Sequence, residues 1–118
     1  MSIIRRKEDR KETTKECVQK GPGQLYSLVG VEADSEMWNK GRMLNDNILE
    51  KDCGVGYHVH QGDGEIYVML SGEAEYNDNG TITTIHEGDI TFTGPGEGHH
   101  IINHKEEPVR FLAIILYE

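Results

Sequence analysis

Short runs of apolar residues, each broken by glycine or Asx residues, follow one another along most of the chain. This texture is typical of an antiparallel β domain, in which strands of a few residues alternate with tight turns. The pattern predicts nine strands, over residues 25–31, 43–49, 56–60, 65–70, 73–76, 81–86, 90–93, 99–103 and 109–117. Because the links are short and a closed arrangement removes exposed sheet edges, we expect an all-β fold, a barrel or jelly roll.

One hairpin of this fold can be assigned from its turn alone. Asn79-Gly80 supplies the positive φ angles that a type I′ turn or a G1 bulge requires. The strands predicted over residues 73–76 and 81–86 should therefore pair directly with each other.

The first 20 residues have a different character, since charged side chains dominate from Arg5 to Glu16. Such a segment could form a short exposed helix, an edge strand or a frayed arm, and the sequence does not choose among the three. A chain of 118 residues is too short for two independent cores. We therefore expect a charged arm or edge strand over residues 1–20 and one β-barrel domain over residues 21–118.

Composition narrows the function classes. Twenty-one acidic against twelve basic side chains give a formal charge of −9, which disfavours a nucleic-acid partner. No apolar run approaches the roughly 20 residues needed to cross a bilayer, so no membrane span is expected. Charged residues occupy the place of a signal peptide's apolar region, which predicts a cytoplasmic protein. Cys17 and Cys53 lack the close spacing of zinc or redox sites and are expected as reduced thiols.

The residues with the clearest chemistry are His58, His60, Glu65 and His99. Side chains alternate along a strand, so the spacing of two places both imidazoles of His58 and His60 on one face. Residues 61–64 make a plausible hairpin loop, after which Glu65 would stand beside the histidine pair. His99 opens a later strand and offers a fourth ligand.

Imidazole and carboxylate together suit a divalent transition metal such as Mn, Fe, Ni or Zn. Three neutral imidazoles and one carboxylate leave such an ion with a net charge of about +1, which favours a small anionic organic molecule in its open positions. Tyr67 shares the inward parity of Glu65, so it is either a core residue or a candidate catalytic group.

The same residues carry a family resemblance. His58-Val59-His60, four residues, Glu65, six residues and then Gly72 is similar to the first cupin motif, HxH-x(3,4)-E-x6-G. A second stretch resembles the second cupin motif, with Gly88-Asp89, Pro95-Gly96, His99 and Asn103. The turn before His99 departs from the motif, because Glu97 stands where the motif has glycine.

The resemblance covers about residues 42–116 and implies a single-domain cupin jelly roll whose metal ligands map onto His58, His60, Glu65 and His99. The second motif and strand alternation both favour His99 over the adjacent His100. More loosely, residues 21–25 look like the opening of small bacterial cupins called oxalate-decarboxylase-like. Proteins of that kind are often homodimers, and we expect the same of this chain.

Several functions remain open. The first is a metalloenzyme that decarboxylates a small anionic metabolite or inserts oxygen into it, for which Tyr67 is the candidate proton donor or acceptor. The second is a metal or small-ligand binding protein without catalysis. A sugar isomerase or epimerase ranks last, because it would need basic residues lining the pocket and only Lys40, Arg42 and Lys51 stand near in sequence. Trp38 and Arg42 precede the barrel and could close its mouth or pack on its surface.

Overall fold

Ten strands alternate with turns and three short 3-10 helices in the computed structural model, which describes residues 2–118. The strands are β1 Glu12–Glu16, β2 Gln24–Val29, β3 Gly41–Leu49, β4 Gly54–Val59, β5 Asp63–Ser71, β6 Glu73–Asp78, β7 Thr81–His86, β8 Ile90–Thr93, β9 Gly98–Ile102 and β10 Val109–Tyr117. The 3-10 helices are Lys7–Asp9, Val18–Lys20 and Ser35–Met37. All nine predicted strands are present, six of them with shifted ends, and β1 is additional.

The strands form two antiparallel sheets. The larger sheet has the order β1-β2-β3-β10-β5-β8, and the smaller sheet has the order β4-β9-β6-β7. Apolar side chains of both sheets meet in one buried cluster between them. The architecture is therefore the predicted all-β jelly roll, formed by two facing sheets.

The predicted β6–β7 hairpin is confirmed. Asp78 pairs with Thr81, so the loop between them contains only two residues. Asn79 and Gly80 have φ angles of 51° and 100°, as the turn requires.

The predicted hairpin between the strands that carry His60 and Glu65 is wrong. β4 pairs with β9 in the smaller sheet, whereas β5 pairs with β10 and β8 in the larger sheet. Four residues can span about 13 Å, which exceeds the roughly 10 Å between facing sheets. The loop can therefore cross from one sheet to the other, and the two ligand-bearing strands face each other across the interior.

The apolar core fills the end of the barrel away from this loop. Its large, fully buried side chains include Leu49, Met69, Ile101, Val109 and Phe111. Burial alternates along β5 and β10, which places every second side chain inside. Tyr67 and Met69 both lie on the inner face, as their shared parity with Glu65 predicts.

Within the charged N-terminal segment, the structure contains an edge strand. β1 pairs with β2 from Glu12↔Leu28 to Glu16↔Gln24 and so ends the larger sheet. Arg5 binds the Glu36 carboxylate through two nitrogens, at 2.7 and 2.8 Å, which ties the start of the segment to the domain.

Two further findings bear on the sequence-based expectations. Across residues 2–118, no helix is long and apolar enough to cross a membrane. Cys17 and Cys53 are both free thiols, Cys17 exposed and Cys53 partly buried.

Candidate metal centre

Three histidines and one glutamate converge in the interior, and they come from both sheets. His58 of β4 and His99 of β9 are direct partners in the smaller sheet. His60 follows the last residue of β4, and Glu65 approaches from β5 in the larger sheet. The four residues predicted as ligands are thus brought together by the packing of the sheets.

The nitrogen and oxygen atoms of this group are close enough to share one ion. Glu65 Oε1 lies 3.2 Å from His60 Nε2 and 3.1 Å from His99 Nε2, and these two nitrogens are 3.1 Å apart. His58 Nε2 stands 4.0 Å from Glu65 Oε1, and one donor atom from each residue lies within 4.8 Å of all the others. Ligands bound at about 2.1 Å to one ion are themselves about 3 to 3.5 Å apart, so the separations among His60, Glu65 and His99 fit a metal ion, and His58 stands farther from Glu65.

Each imidazole has a hydrogen-bond partner at Nδ1, the ring nitrogen that points away from the other ligands. His58 Nδ1 donates to the carbonyl oxygen of Gly56 at 2.8 Å, and His60 Nδ1 donates to Asp63 Oδ1 at 2.7 Å. His99 Nδ1 lies 3.0 Å from the hydroxyls of both Tyr76 and Thr93. The Nε2 atoms therefore face one another with their orientation already set, which is the arrangement that metal-binding histidines need.

The electrostatics of the group keep its carboxylate charged. Burial would by itself raise the pKa of Glu65, but hydrogen bonds from His60 and His99 outweigh burial and lower this pKa to about 2. The hydrogen bond between His60 and Glu65 raises the pKa of His60, whereas burial lowers the pKa of His58. Glu65 is consequently ionised at any physiological pH and could serve as an anionic ligand.

Tyr67 stacks on the ring of His99, with 5.0 Å between centroids and 20° between planes. Burial, reinforced by the charge of Glu65, raises the pKa of the Tyr67 hydroxyl well above its usual value. Tyr67 therefore stays protonated near neutral pH, where its hydroxyl can donate a hydrogen bond and is a weaker acid than a free tyrosine.

A cavity of ≈ 480 Å³ leads to the metal centre, and His58, His60, Glu65 and Tyr67 form part of its wall. The remaining wall is mostly polar and includes Thr13, Lys15, Ser27, Arg42, Asn45 and Asn47. Since Thr13 and Lys15 belong to β1, the charged N-terminal segment completes the wall. The cavity is large enough for a small organic anion.

The other histidines lie outside the group. His100 Nε2 bonds to Glu75 at 2.9 Å, so the structure places His99 and not His100 among the four. His86 contacts Glu73 and is largely exposed.

The segment before the barrel does not close its mouth with Trp38. This side chain is 81% exposed and is absent from the cavity wall. Arg42, by contrast, reaches the wall and forms an ion pair with Asp63 at 3.0 Å.

Sequence reasoning missed three residues that hold the ligands. Asp63 was visible as an acidic residue three positions after His60, a spacing that suits a hydrogen bond in a short loop. Thr93 and Tyr76 come from strands whose neighbours only the fold reveals, and no local signal marks them.

The fold and the clustered histidines and glutamate define a cupin. The family model for the cupin domain matches residues 48–115, which is more than half of the chain. The chain belongs to this family.

Two comparisons show how similar individual relatives are. The oxalate-binding protein of Thermotoga maritima is 39% identical over 97 residues, which cover 82% of this chain and 78% of that protein. The crystal structure of a protein from the same species, described as a predicted oxalate decarboxylase, superposes with a TM-score of 0.93 at 31% identity. That match covers 98% of this chain and 100% of the other.

The fold also occurs in more distant proteins. The polyketide cyclase RemF of Streptomyces resistomycificus has a TM-score of 0.75 at 20% identity, over 100% of this chain and 81% of its own. At this level of identity the similarity concerns the fold alone.

Proposed function

We propose that this protein binds one divalent transition-metal ion through His58, His60, Glu65 and His99, and uses the ion to hold a small carboxylate anion of the oxalate type. The observation that carries the proposal is the set of three imidazoles anchored at Nδ1, whose Nε2 atoms surround an ionised carboxylate. Mn, Fe, Ni and Zn all suit such a ligand set.

Charge supports an anion as the ligand. Three neutral imidazoles and one carboxylate leave a divalent ion with a net charge of about +1, so an anion is attracted to its free positions. Arg42 and Lys15 add positive charge to the cavity wall, and Asn45 and Asn47 add amide groups that can donate hydrogen bonds. The similarity to an oxalate-binding protein points to the same class of ligand.

Removing the anionic ligand tests the metal site. Glu65→Gln keeps the size of the side chain but deletes its charge, so the variant should lose most of its metal while remaining folded. The protein is purified without a histidine tag or chelator, and its metal is measured by elemental analysis. His100→Ala is the matched control, since it removes an imidazole one residue from the centre and should leave the metal content unchanged.

Oxalate binding is then measured by calorimetry on metal-loaded and metal-free protein, with acetate as the monocarboxylate comparison. We expect binding of oxalate only to the loaded form and much weaker binding of acetate. Full metal occupancy in Glu65→Gln would contradict the ligand assignment, and equal oxalate binding without metal would contradict the role of the ion.

One observation favours catalysis as a second candidate. Decarboxylation of oxalate breaks the C–C bond, and the carbon that keeps the electron pair must receive one proton to give formate. The bound ion would supply electrophilic activation. Tyr67 is a protonated hydroxyl in the cavity wall beside Glu65, and its pKa is still far below that of the carbon that must be protonated, so it is the candidate donor.

A Tyr67→Phe variant separates the two candidates. If the protein is a decarboxylase, the wild type releases carbon dioxide from oxalate and the variant retains metal and oxalate binding but loses most of that release. Oxygen uptake is followed in the same reaction, since uptake would indicate oxygen insertion instead. Absence of both activities in the metal-loaded wild type would leave binding as the function.

A further inference from the structure

We infer that Asp63 sets the tautomer of His60, and thereby the metal affinity of the centre, while Arg42 fixes the orientation of Asp63. The part of this inference that concerns metal affinity rests on the proposed function. Asp63 and Arg42 are positioning residues in this account, because neither belongs to the four-residue group.

The contacts form a chain from the mouth of the cavity to the metal centre. Arg42 donates to Asp63 Oδ2 through Nε at 3.1 Å and through Nη2 at 3.0 Å. The other carboxylate oxygen, Oδ1, accepts from His60 Nδ1 at 2.7 Å. Because each oxygen has its own partner, the carboxylate cannot rotate without breaking charge-assisted hydrogen bonds.

His60 depends on this contact more than the other two histidines depend on theirs. At Nδ1, His58 is oriented by a backbone carbonyl and His99 by two hydroxyls. Only His60 has a charged partner at this nitrogen. His60 also lies beyond the end of β4. Its backbone is held by Gly96 and Glu97, so rotation of the ring is the freedom that Asp63 removes.

An ionised aspartate can only accept a hydrogen bond, so Asp63 favours the proton on Nδ1 and leaves the Nε2 lone pair for an ion, while Glu65, 3.2 Å from Nε2, competes for that proton in the metal-free protein. Asparagine would offer both an oxygen and an NH₂ group. Arg42 only donates, so it should capture the amide oxygen and turn the NH₂ group toward His60. The ring would then accept at Nδ1 and carry its proton on Nε2, where it opposes a metal ion.

The metal affinity should differ among variants in a defined order. Asp63→Asn should weaken metal binding by about 10- to 100-fold, the usual effect of losing such an outer partner. Removing Arg42 as well, in Arg42→Ala/Asp63→Asn, frees the amide to turn its oxygen toward His60 and should restore part of the loss. Asp52→Asn is the matched control, because it deletes an exposed carboxylate outside the cavity wall.

Two measurements test the inference. Nitrogen NMR of metal-free Glu65→Gln protein with labelled histidine, at a pH at which the His60 ring carries a single proton, reports which nitrogen of His60 is protonated once the competing charge of Glu65 is removed. Chelator competition with Mn²⁺ or Zn²⁺ gives the metal dissociation constant of each variant. We expect Nδ1–H in Glu65→Gln and Nε2–H in Glu65→Gln/Asp63→Asn, and weaker metal binding in Asp63→Asn than in the wild type.

The role of Asp63 and the proposed metal binding can be refuted separately. The same His60 tautomer in Glu65→Gln and Glu65→Gln/Asp63→Asn, or metal affinities of the wild type and Asp63→Asn within about twofold of each other, would overturn the role of Asp63. A wild type that binds neither ion would overturn the proposed function and the affinity part of this inference together, while the tautomer measurement on the metal-free protein would still decide whether Asp63 orients His60.

Discussion

The buried ion pair of Asp46 and Arg110 offers a quantitative test of how the larger sheet is stabilised. Asp46 of β3 is 2% exposed. Its carboxylate accepts hydrogen bonds from Arg110 Nε at 2.9 Å and from Arg110 Nη2 at 2.7 Å. Arg10 from the N-terminal segment adds a longer contact at 3.4 Å. Replacing Asp46 by asparagine keeps its shape but removes the charge that these guanidinium groups share.

The cost can be estimated from these contacts. Hydrogen bonds to charged groups contribute roughly 1.5 to 3 kcal/mol each. The Arg110 side chain is 47% exposed, so water screens a large part of its interaction. We therefore expect Asp46→Asn to lower the free energy of unfolding by about 2 kcal/mol, which corresponds to a fall in Tm of about 8 °C for a domain of this size.

The effect should depend on pH with a defined sign. Hydrogen bonds from Arg110 hold the pKa of Asp46 below its usual value. A carboxyl whose pKa is lowered on folding stabilises the protein above its unfolded pKa of about 3.9 and loses that contribution as the pH falls through the folded value. The difference between wild type and Asp46→Asn should be constant near neutral pH and should shrink below about pH 4.

Urea unfolding at several pH values measures this difference. Glu87→Gln is the control, because it removes one negative charge from an exposed turn and changes the net charge from −9 to −8 in the same way. A loss in Asp46→Asn no larger than in Glu87→Gln, or a difference that persists unchanged at pH 2 to 3, would refute the reasoning.

Two further predictions concern packing and backbone. Phe111→Ala should cost about 3 to 5 kcal/mol in urea unfolding, since Phe111 is fully buried and packs against Tyr67, and a loss under 1 kcal/mol would contradict its place in the core. Gly72→Ala should cost roughly 1 to 3 kcal/mol, because the glycine has a φ of +88° and a Cβ there would lie 2.7 Å from the Pro108 oxygen. Gly80→Ala shares the positive φ but meets no atom within 4 Å, so equal losses would show that the contact does not matter.

Local patterns predicted those parts of the fold that depend on local chemistry. Asn79-Gly80 identified its hairpin because few residues adopt two positive φ angles in succession. The link over residues 61–64 was misassigned because its length suits both a hairpin and a crossing between sheets. Which strands become neighbours is decided by packing of the whole domain, and a four-residue loop does not encode it.

The candidate ligands could be predicted although the hairpin argument for them was wrong. The spacing of His58, His60 and Glu65 matches a motif that describes residues converging across the interior, whichever strands are paired. The sequence does not decide the structure of the segment that forms β1, because its charged side chains suit an edge strand as well as a helix. Its contribution to the cavity wall follows from pairing with β2, which no pattern in the first 20 residues indicates.

The interior has an apolar end and a polar end, so the residues that stabilise the fold are largely separate from those that surround the candidate metal site. At one end, the fully buried side chains of Leu49, Val109 and Phe111 form the apolar core, while polar side chains line most of the other end. Substitutions around the polar end therefore leave the apolar end intact and should be tolerated by the fold. A barrel built this way can exchange one chemistry for another during evolution while the packed end continues to supply its stability.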